Sequence, residues 1–186
     1  LYALSLDQRV QSKLRAEIHK HFPTLNTSPT ADELDQLDYL DIVVKEVLRL
    51  HSPAPLTVRV AVQDDILPNG VFVPKGTIMA LINATMHKLP EYWGDDALSF
   101  RPERWQEPRV TEMPNLTQIY TPFLAGSRSC IGMKLALLEF KMILTCLLYA
   151  FEFRPVPGHV VHKRLQITSK PWPYIQLDIC SLKVAQ

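Results

Sequence analysis

The residues Phe123-Leu124-Ala125-Gly126-Ser127-Arg128-Ser129-Cys130-Ile131-Gly132 place a cysteine on a short loop between two glycines, directly ahead of a long apolar run. The stretch reads F-x-x-G-x-R-x-C-x-G, five fixed positions in ten. Gly126 can take the positive φ of a tight turn, and Gly132 lets backbone approach a flat ligand as it leads into the next helix. That helix is expected over MKLALLEFKMILTCLLYAF, which is apolar on nearly all sides, as a buried helix would be. Cys130 thus stands ahead of a helix N-terminus, where partial positive charge and free amide N–H groups favour thiolate over thiol. A thiolate is a good ligand for iron. Arg128 is close enough in sequence to pair with a carboxylate of the same flat ligand through two parallel hydrogen bonds, and Phe123 could shield the sulfur from water.

Outward from this loop the chain changes character several times. Upstream, Val10, Leu14 and Ile18 form one apolar stripe and predict a helix over Leu6 to Phe22, ended by Pro23. A second helix is predicted from Leu40, Val43, Val44, Val47 and Leu48, running up to His51 and Pro53. From Thr57 to Asn83 the runs TVRVAV, VFV and TIMALIN, punctuated by Pro68-Asn69-Gly70 and Pro74-Lys75-Gly76, predict a small antiparallel sheet. Asn83 to Pro122 is rich in proline and aromatic residues without a sustained period, so an irregular, packed segment with short helices is expected. Beyond the apolar helix, RLQITS and YIQLDI, separated by Lys170 to Pro173, predict a terminal hairpin. The fold class is therefore α+β and mainly α.

Glu46-Val47-Leu48-Arg49 sets a carboxylate and a guanidinium three residues apart on one helix face. Solvated pairs of this kind are common, but Ile42, Val43 and Leu50 surround Glu46 at helical spacings, and charges in apolar company need partners. The Cys130 motif with this E-x-x-R helix resembles the cytochrome P-450 superfamily of heme-thiolate monooxygenases, in its eukaryotic microsomal form. An inert, buried cysteine on a glycine-bearing loop is the alternative for Cys130, and the complete motif argues against it.

The resemblance implies further roles. It pairs the E-x-x-R helix with an Arg of a later Pro-Glu-Arg motif, matched by Pro102-Glu103-Arg104, which gives a structural triad of Glu46, Arg49 and Arg104. Trp105 stands where the family more often has Phe, a change of packing volume that removes no charge. Arg59 occupies the place of an Arg that holds the other heme propionate, its alternative being a surface-facing strand residue. Ala54 to Thr57 and the turn near Ser169 to Trp172 would border the substrate cavity. His87 follows the family pattern as a structural residue, not a ligand or catalytic group. Cys146 and Cys180 read as packing residues.

By the same resemblance, residues 1–186 are the C-terminal portion of a single cytochrome P-450 domain, whose N-terminal portion and distal helix are absent. The expected cofactor is heme b (iron protoporphyrin IX), with Cys130 as its proximal axial ligand and Phe123, Gly126, Arg128, Gly132 and Arg59 around it. The family reaction is monooxygenation, inserting one atom of O2 into a small apolar organic substrate with electrons from an NADPH-dependent flavoprotein reductase. Arg128 and Lys134 do not suffice to define where a reductase docks. Two other readings stand beside this one: a truncated, non-catalytic heme-binding remnant, and a heme-thiolate isomerase or dehydratase. The endoplasmic reticulum membrane, cytosolic face, is the implied location, through an N-terminal anchor outside these residues.

Composition sets outer limits. The 186 residues are 47% hydrophobic and 21% charged, enough for one ordinary core. A net charge of +1 without dense Lys or Arg runs gives no footprint for nucleic acid. The three cysteines form no C-x-x-C pair, so neither a compact zinc site nor a disulfide framework is expected. Every apolar stretch is interrupted before the roughly 20 residues a membrane span needs.

Overall fold

The computed structural model describes residues 1–25, 27–166 and 168–182. A short helix α1 (Tyr2–Leu6) precedes α2 (Gln8–His21), which begins where the Asp7 carboxylate accepts the Val10 N–H at 3.0 Å. This cap starts the first long helix two residues later than expected and leaves Leu6 exposed. Val10, Leu14 and Ile18 form its buried stripe. Thr30 and Glu33 make a reciprocal capping box for α3 (Ala31–Leu34). The E-x-x-R helix, α4 (Asp38–Leu50), follows and buries Leu40, Val43, Val44 and Leu48.

Four short strands come next: β1 (Thr57–Val60), β2 (Asp65–Ile66), β3 (Phe72–Val73) and β4 (Ile78–Leu81). Antiparallel β2 and β3 are nested inside the antiparallel pair β1 and β4, where Arg59 lies opposite Met79. The turn at Gly70 closes the inner hairpin, its N–H donating to Leu67 O at 2.8 Å with φ at +85°. From Asn83 to Pro122 the chain makes only single turns: α5 (Asn83–Met86), α6 (Pro90–Trp93), a 3-10 turn at Pro102–Gln106, α7 (Pro108–Thr111) and α8 (Leu116–Ile119).

Helix α9 (Met133–Ala150) corrects one expectation, for it is buried on one face only. Leu144, Thr145 and Leu148 pack against α2 and α4, whereas Met133, Leu135 and Ile143 are exposed. Apolarity all round an isolated sequence cannot distinguish surface that lies inside from surface that has no neighbour among the described residues. On the buried side, the Lys141 ammonium reaches Asp35 at 2.9 Å and Asp41 at 3.2 Å, tying α9 to α3 and α4.

The C-terminal strands correct a second expectation. β5 (Phe151–Pro155) follows α9 directly, and β6 (His162–Leu165) turns back as β7 (Ser169–Trp172), with Leu165 opposite Ser169. β8 (Leu177–Ser181), which contains the end of YIQLDI, pairs with β5 and not with RLQITS. The segment Lys170 to Pro173, expected as the link, is mostly strand. Pro171 is tolerated there because a two-stranded ribbon has only edge strands. Ile167, within RLQITS, lies outside the described residues.

The principal core joins α1, α2, α4, α9 and β5 through Leu4, Val10, Leu14, Val43, Leu148 and Phe153. It continues into the irregular segment through Trp93 and Trp105. No helix of the described residues is long and apolar enough to cross a membrane.

Candidate cofactor site

The loop around Cys130 is built by local constraints. Cys130 N–H donates to Phe123 O at 2.8 Å, so the backbone closes on itself around residues 124–129. Two residues in the left-handed region make that closure possible: Gly126 at φ +74° and Leu124 at φ +63°. Gly126 meets the requirement without strain. A Leu in this region stores backbone strain of about 1–3 kcal/mol, which a fixed surrounding must support. No pattern in the sequence marked Leu124, since only its φ sets it apart.

Phe123 is half-buried and packs against the main core, anchoring the loop's first residue. Arg128 and Cys130 are exposed, and Arg128 makes no ion pair among the described residues. Ile131, beside the thiol, is an exposed apolar side chain. Gly132 is the N-cap of α9 at φ −84°, and no side chain caps this helix. A Cβ on Gly132 would lie 3.8 Å from Cys130 Sγ, so this glycine keeps the space beside the sulfur clear and serves no conformational need.

The residues Glu46, Arg49 and Arg104 come together as a buried cluster. Glu46 is 0% exposed, and one carboxylate receives five hydrogen bonds. Arg49 donates through Nε to Oε2 and through Nη2 to Oε1, both at 2.9 Å. Arg104 Nε and the Arg101 backbone N–H donate to Oε1, each at 3.0 Å. Trp105 Nε1–H donates to Oε2 at 3.0 Å. The substitution of Trp for Phe therefore does more than change volume, because it supplies a donor to the buried carboxylate.

The two guanidinium groups spend most of their remaining N–H groups on main-chain oxygens. Arg49 reaches His87 O and Ala97 O, both at 2.7 Å, and Arg104 reaches Trp93 O at 3.0 Å and Ser99 O at 3.1 Å. These contacts hold a segment that has only single helical turns, which would otherwise leave carbonyl groups buried without donors. Asp96 adds a further anion, accepting from Arg104 Nη1 at 3.1 Å and Arg101 Nε at 2.6 Å. The Arg101 hydrogen bond, followed by that of Arg104, outweighs desolvation and holds the Asp96 carboxyl down to about 2. Asp96 was not legible in the sequence, where its partners stand five and eight residues away in no helical register.

The middle residue of the Pro-Glu-Arg motif faces the other way. Glu103 receives Arg9 Nη1 at 2.7 Å and Tyr39 OH at 2.8 Å, tying the 3-10 turn to α2 and α4. Burial alone would raise its carboxyl; the hydrogen bonds from Arg9, Tyr39 and Lys13 prevail and bring it to about 2.

Other residues singled out in the sequence are placed less centrally. Arg59 is exposed, and its Nη1 folds back on its own strand, to Thr57 Oγ1 at 2.9 Å and Val58 O at 3.0 Å. Ser169 N–H donates to Pro53 O at 2.7 Å, so the segment Ser169 to Trp172 starts beside the residue that precedes Ala54 to Thr57. Exposed Leu56 and Trp172 lie on those two segments. Cys146 is half-buried, but Cys180 is exposed on edge strand β8, which corrects its reading as a packing residue. All three cysteines are free. His87 is fully buried, and desolvation pushes its imidazole down to about 4. A recess of about 900 Å³, open to solvent, is lined by Met86, Tyr92, Arg109, Met113 and Ile119 and by none of the predicted site residues.

Comparisons with known proteins agree with this architecture. A family model described as Cytochrome P-450 matches residues 1–176. Cytochrome P-450 monooxygenase 205 of Postia placenta is 35% identical over 96% of this chain and 35% of its own length. Cytochrome P-450 monooxygenase claO of Ampulloclitocybe clavipes is 40% identical over 88% of this chain and 33% of its own length. Human cytochrome P-450 3A5 is 39% identical over 83% of this chain and 30% of its own length. The chain thus spans about a third of the length of the curated relatives it matches. With a family model covering nearly every residue, the chain belongs to the cytochrome P-450 family.

Proposed function

We propose that this chain is the proximal, heme-carrying portion of a heme-thiolate monooxygenase, with Cys130 as the axial ligand of the iron. The observation that carries the reading is the exposed Cys130 thiol on a loop closed by its own N–H to Phe123 O, at the uncapped head of α9.

The residues fit heme b. Cys130 is exposed and free, and a single thiolate suits an iron whose other ligands come from a macrocycle. Gly132 leaves the space beside the sulfur open, and exposed Ile131 offers apolar contact to a flat ring. Arg128 and Arg59 have no acidic partner among the described residues and are available to propionate carboxylates. When bound, the heme supplies reductive activation of O2 and transfer of one oxygen atom to a substrate C–H bond.

The protein's share in that chemistry is positional. Cys130 is presented at the head of α9 by the hydrogen bond from its own N–H to Phe123 O. The Glu46, Arg49 and Arg104 cluster moves no proton; it fixes the irregular segment 87–105 against α4 and so gives the loop a rigid base. Leu56 and Trp172 would border an apolar organic substrate. The electron donor is an NADPH-dependent flavoprotein reductase, and the location is the cytosolic face of the endoplasmic reticulum membrane, as the family resemblance implies.

The test uses the chain together with any coding sequence that flanks it in its gene. Reduced with dithionite and exposed to carbon monoxide, the parent should give the strongly red-shifted Soret band of a thiolate-ligated ferrous heme, and Cys130→Ala should lose it. A Cys130→Ala protein that keeps the shifted band would falsify the assignment.

A further inference from the structure

We infer that His87, with Asn83, is a positioning residue for the Cys130 loop, gripping both backbone groups of Thr121 at the loop's entrance. The inference rests on Cys130 being the iron ligand and adds how that ligand is aimed.

Thr121 N–H donates to His87 Nε2 at 3.0 Å, and Asn83 Nδ2 donates to Thr121 O at 3.1 Å. Asn83 and His87 stand four residues apart across the single turn of α5, so their side chains lie on one face and together clasp one residue. Both are buried, His87 completely. The first bond fixes the tautomer: Nε2 accepts, so the ring is neutral and carries its proton on Nδ1.

The clasp lies between the buried cluster and the cysteine. His87 O accepts from Arg49 Nη1 at 2.7 Å, which ties the backbone of the histidine to the Glu46 cluster. On the other side, Thr121 O also accepts Leu124 N–H at 3.1 Å, and Phe123 O accepts Cys130 N–H at 2.8 Å. The strained Leu124, at φ +63°, thus sits between one residue held by two side chains and another that closes on the cysteine. Tyr120 supports the same stretch, with its ring 5.4 Å from the imidazole and its hydroxyl donating to Lys45 O at 3.1 Å. A histidine serving only as filler would need none of this directional bonding. Here its acceptor nitrogen is matched to one backbone N–H that no helix or strand satisfies.

Two substitutions separate positioning from filling. His87→Phe keeps the ring volume and removes the acceptor; His87→Gln offers an amide oxygen near the place of Nε2. Each is compared with the parent at equal heme content, by the fraction of the ferrous carbon monoxide complex in the red-shifted form. Amide hydrogen exchange at Thr121 and Cys130 is measured alongside, on the same heme-loaded proteins. In His87→Phe the ratio of red-shifted to unshifted complex should fall, and exchange at both amides should rise, by about tenfold or more, the scale of losing a buried acceptor. His87→Gln should restore most of both.

A His87→Phe protein with the parent's spectrum and protection overturns the inference and leaves the Cys130 assignment intact. Loss of both signals that Gln does not restore also overturns it, because shape and not the acceptor would then be decisive. If His87→Phe does not fold, Asn83→Leu decides: faster exchange at Thr121 and Cys130 upholds the clasp, and unchanged exchange refutes it. Retention of the shifted band by Cys130→Ala is the separate result that removes the ligand reading beneath.

Discussion

Replacing Glu46 by Gln changes one buried atom and keeps the side-chain shape, so its effect isolates the charge and the direction of the hydrogen bonds. Oε1 accepts from Arg49, Arg104 and the Arg101 N–H, and Oε2 accepts from Arg49 and Trp105. Whichever oxygen becomes NH2, at least two donors then face a donor. Removing one partner of a buried ion pair costs about 3–5 kcal/mol, because the charges left behind remain desolvated. Here two guanidinium groups are left, with only Asp96, at the edge of the cluster, still opposing Arg104. The expected loss of stability is therefore at least about 3–5 kcal/mol, a large part of the 5–15 kcal/mol typical of a domain. At roughly 2–4 °C per kcal/mol, Tm should drop by roughly 6–20 °C. Thermal unfolding followed by circular dichroism, with urea titration at 25 °C, measures both quantities. A Glu46→Gln protein within 1 kcal/mol of the parent would show that the five bonds are geometry without energetic consequence.

Three further outcomes are expected. Trp105→Phe, which restores the residue commoner in the family, should cost about 1–3 kcal/mol through the lost hydrogen bond to the Glu46 carboxylate, whose Oε2 then keeps only Arg49 Nε; urea unfolding reads this, and a neutral result denies the indole N–H its role. Acid should destabilise the fold as Glu103 and Asp96 protonate. Both carboxyl groups are held at about 2 in the folded chain, so their contribution is complete above their ordinary values near 4 and is lost as pH falls through about 2. Urea midpoints measured from pH 5 to pH 2 should fall, less steeply in Glu103→Gln, and equal slopes would contradict the pairing with Arg9 and Tyr39. Gly126→Ala should cost about 1–2 kcal/mol from φ alone, since an added Cβ touches nothing, whereas Gly132→Ala at φ −84° should stay within about 0.5 kcal/mol. Equal costs in calorimetry would reverse the roles given to the two glycines.

Much of the candidate site was legible in residue order. The Cys130 motif needed no three-dimensional information, because its glycine, arginine and cysteine lie within a few residues and each has a local physical purpose. Glu46 and Arg49 were legible as a pair from helical spacing. Their link to Arg104 came from family resemblance and not from spacing, since contact across 58 residues leaves no periodic trace. The Trp105 donor, Asp96 and the grip of Asn83 and His87 on Thr121 were not legible, for each joins a side chain to a partner in irregular backbone. The C-terminal strands misled for a related reason. Alternation marks RLQITS and YIQLDI as extended, but only register shows that β8 lies beside β5.

What the amino-acid sequence determined unaided was the local chemistry: where helices start and stop, where a glycine must turn, and which cysteine heads a helix. Those choices depend on neighbours within about one helical turn, so residue order alone encodes them. The tertiary structure decided which strand pairs with which, which face of α9 is covered, and which carbonyl groups Arg49 and Arg104 satisfy. These depend on distances between residues remote in the chain, and hydrophobicity, which has no direction, cannot specify them without packing.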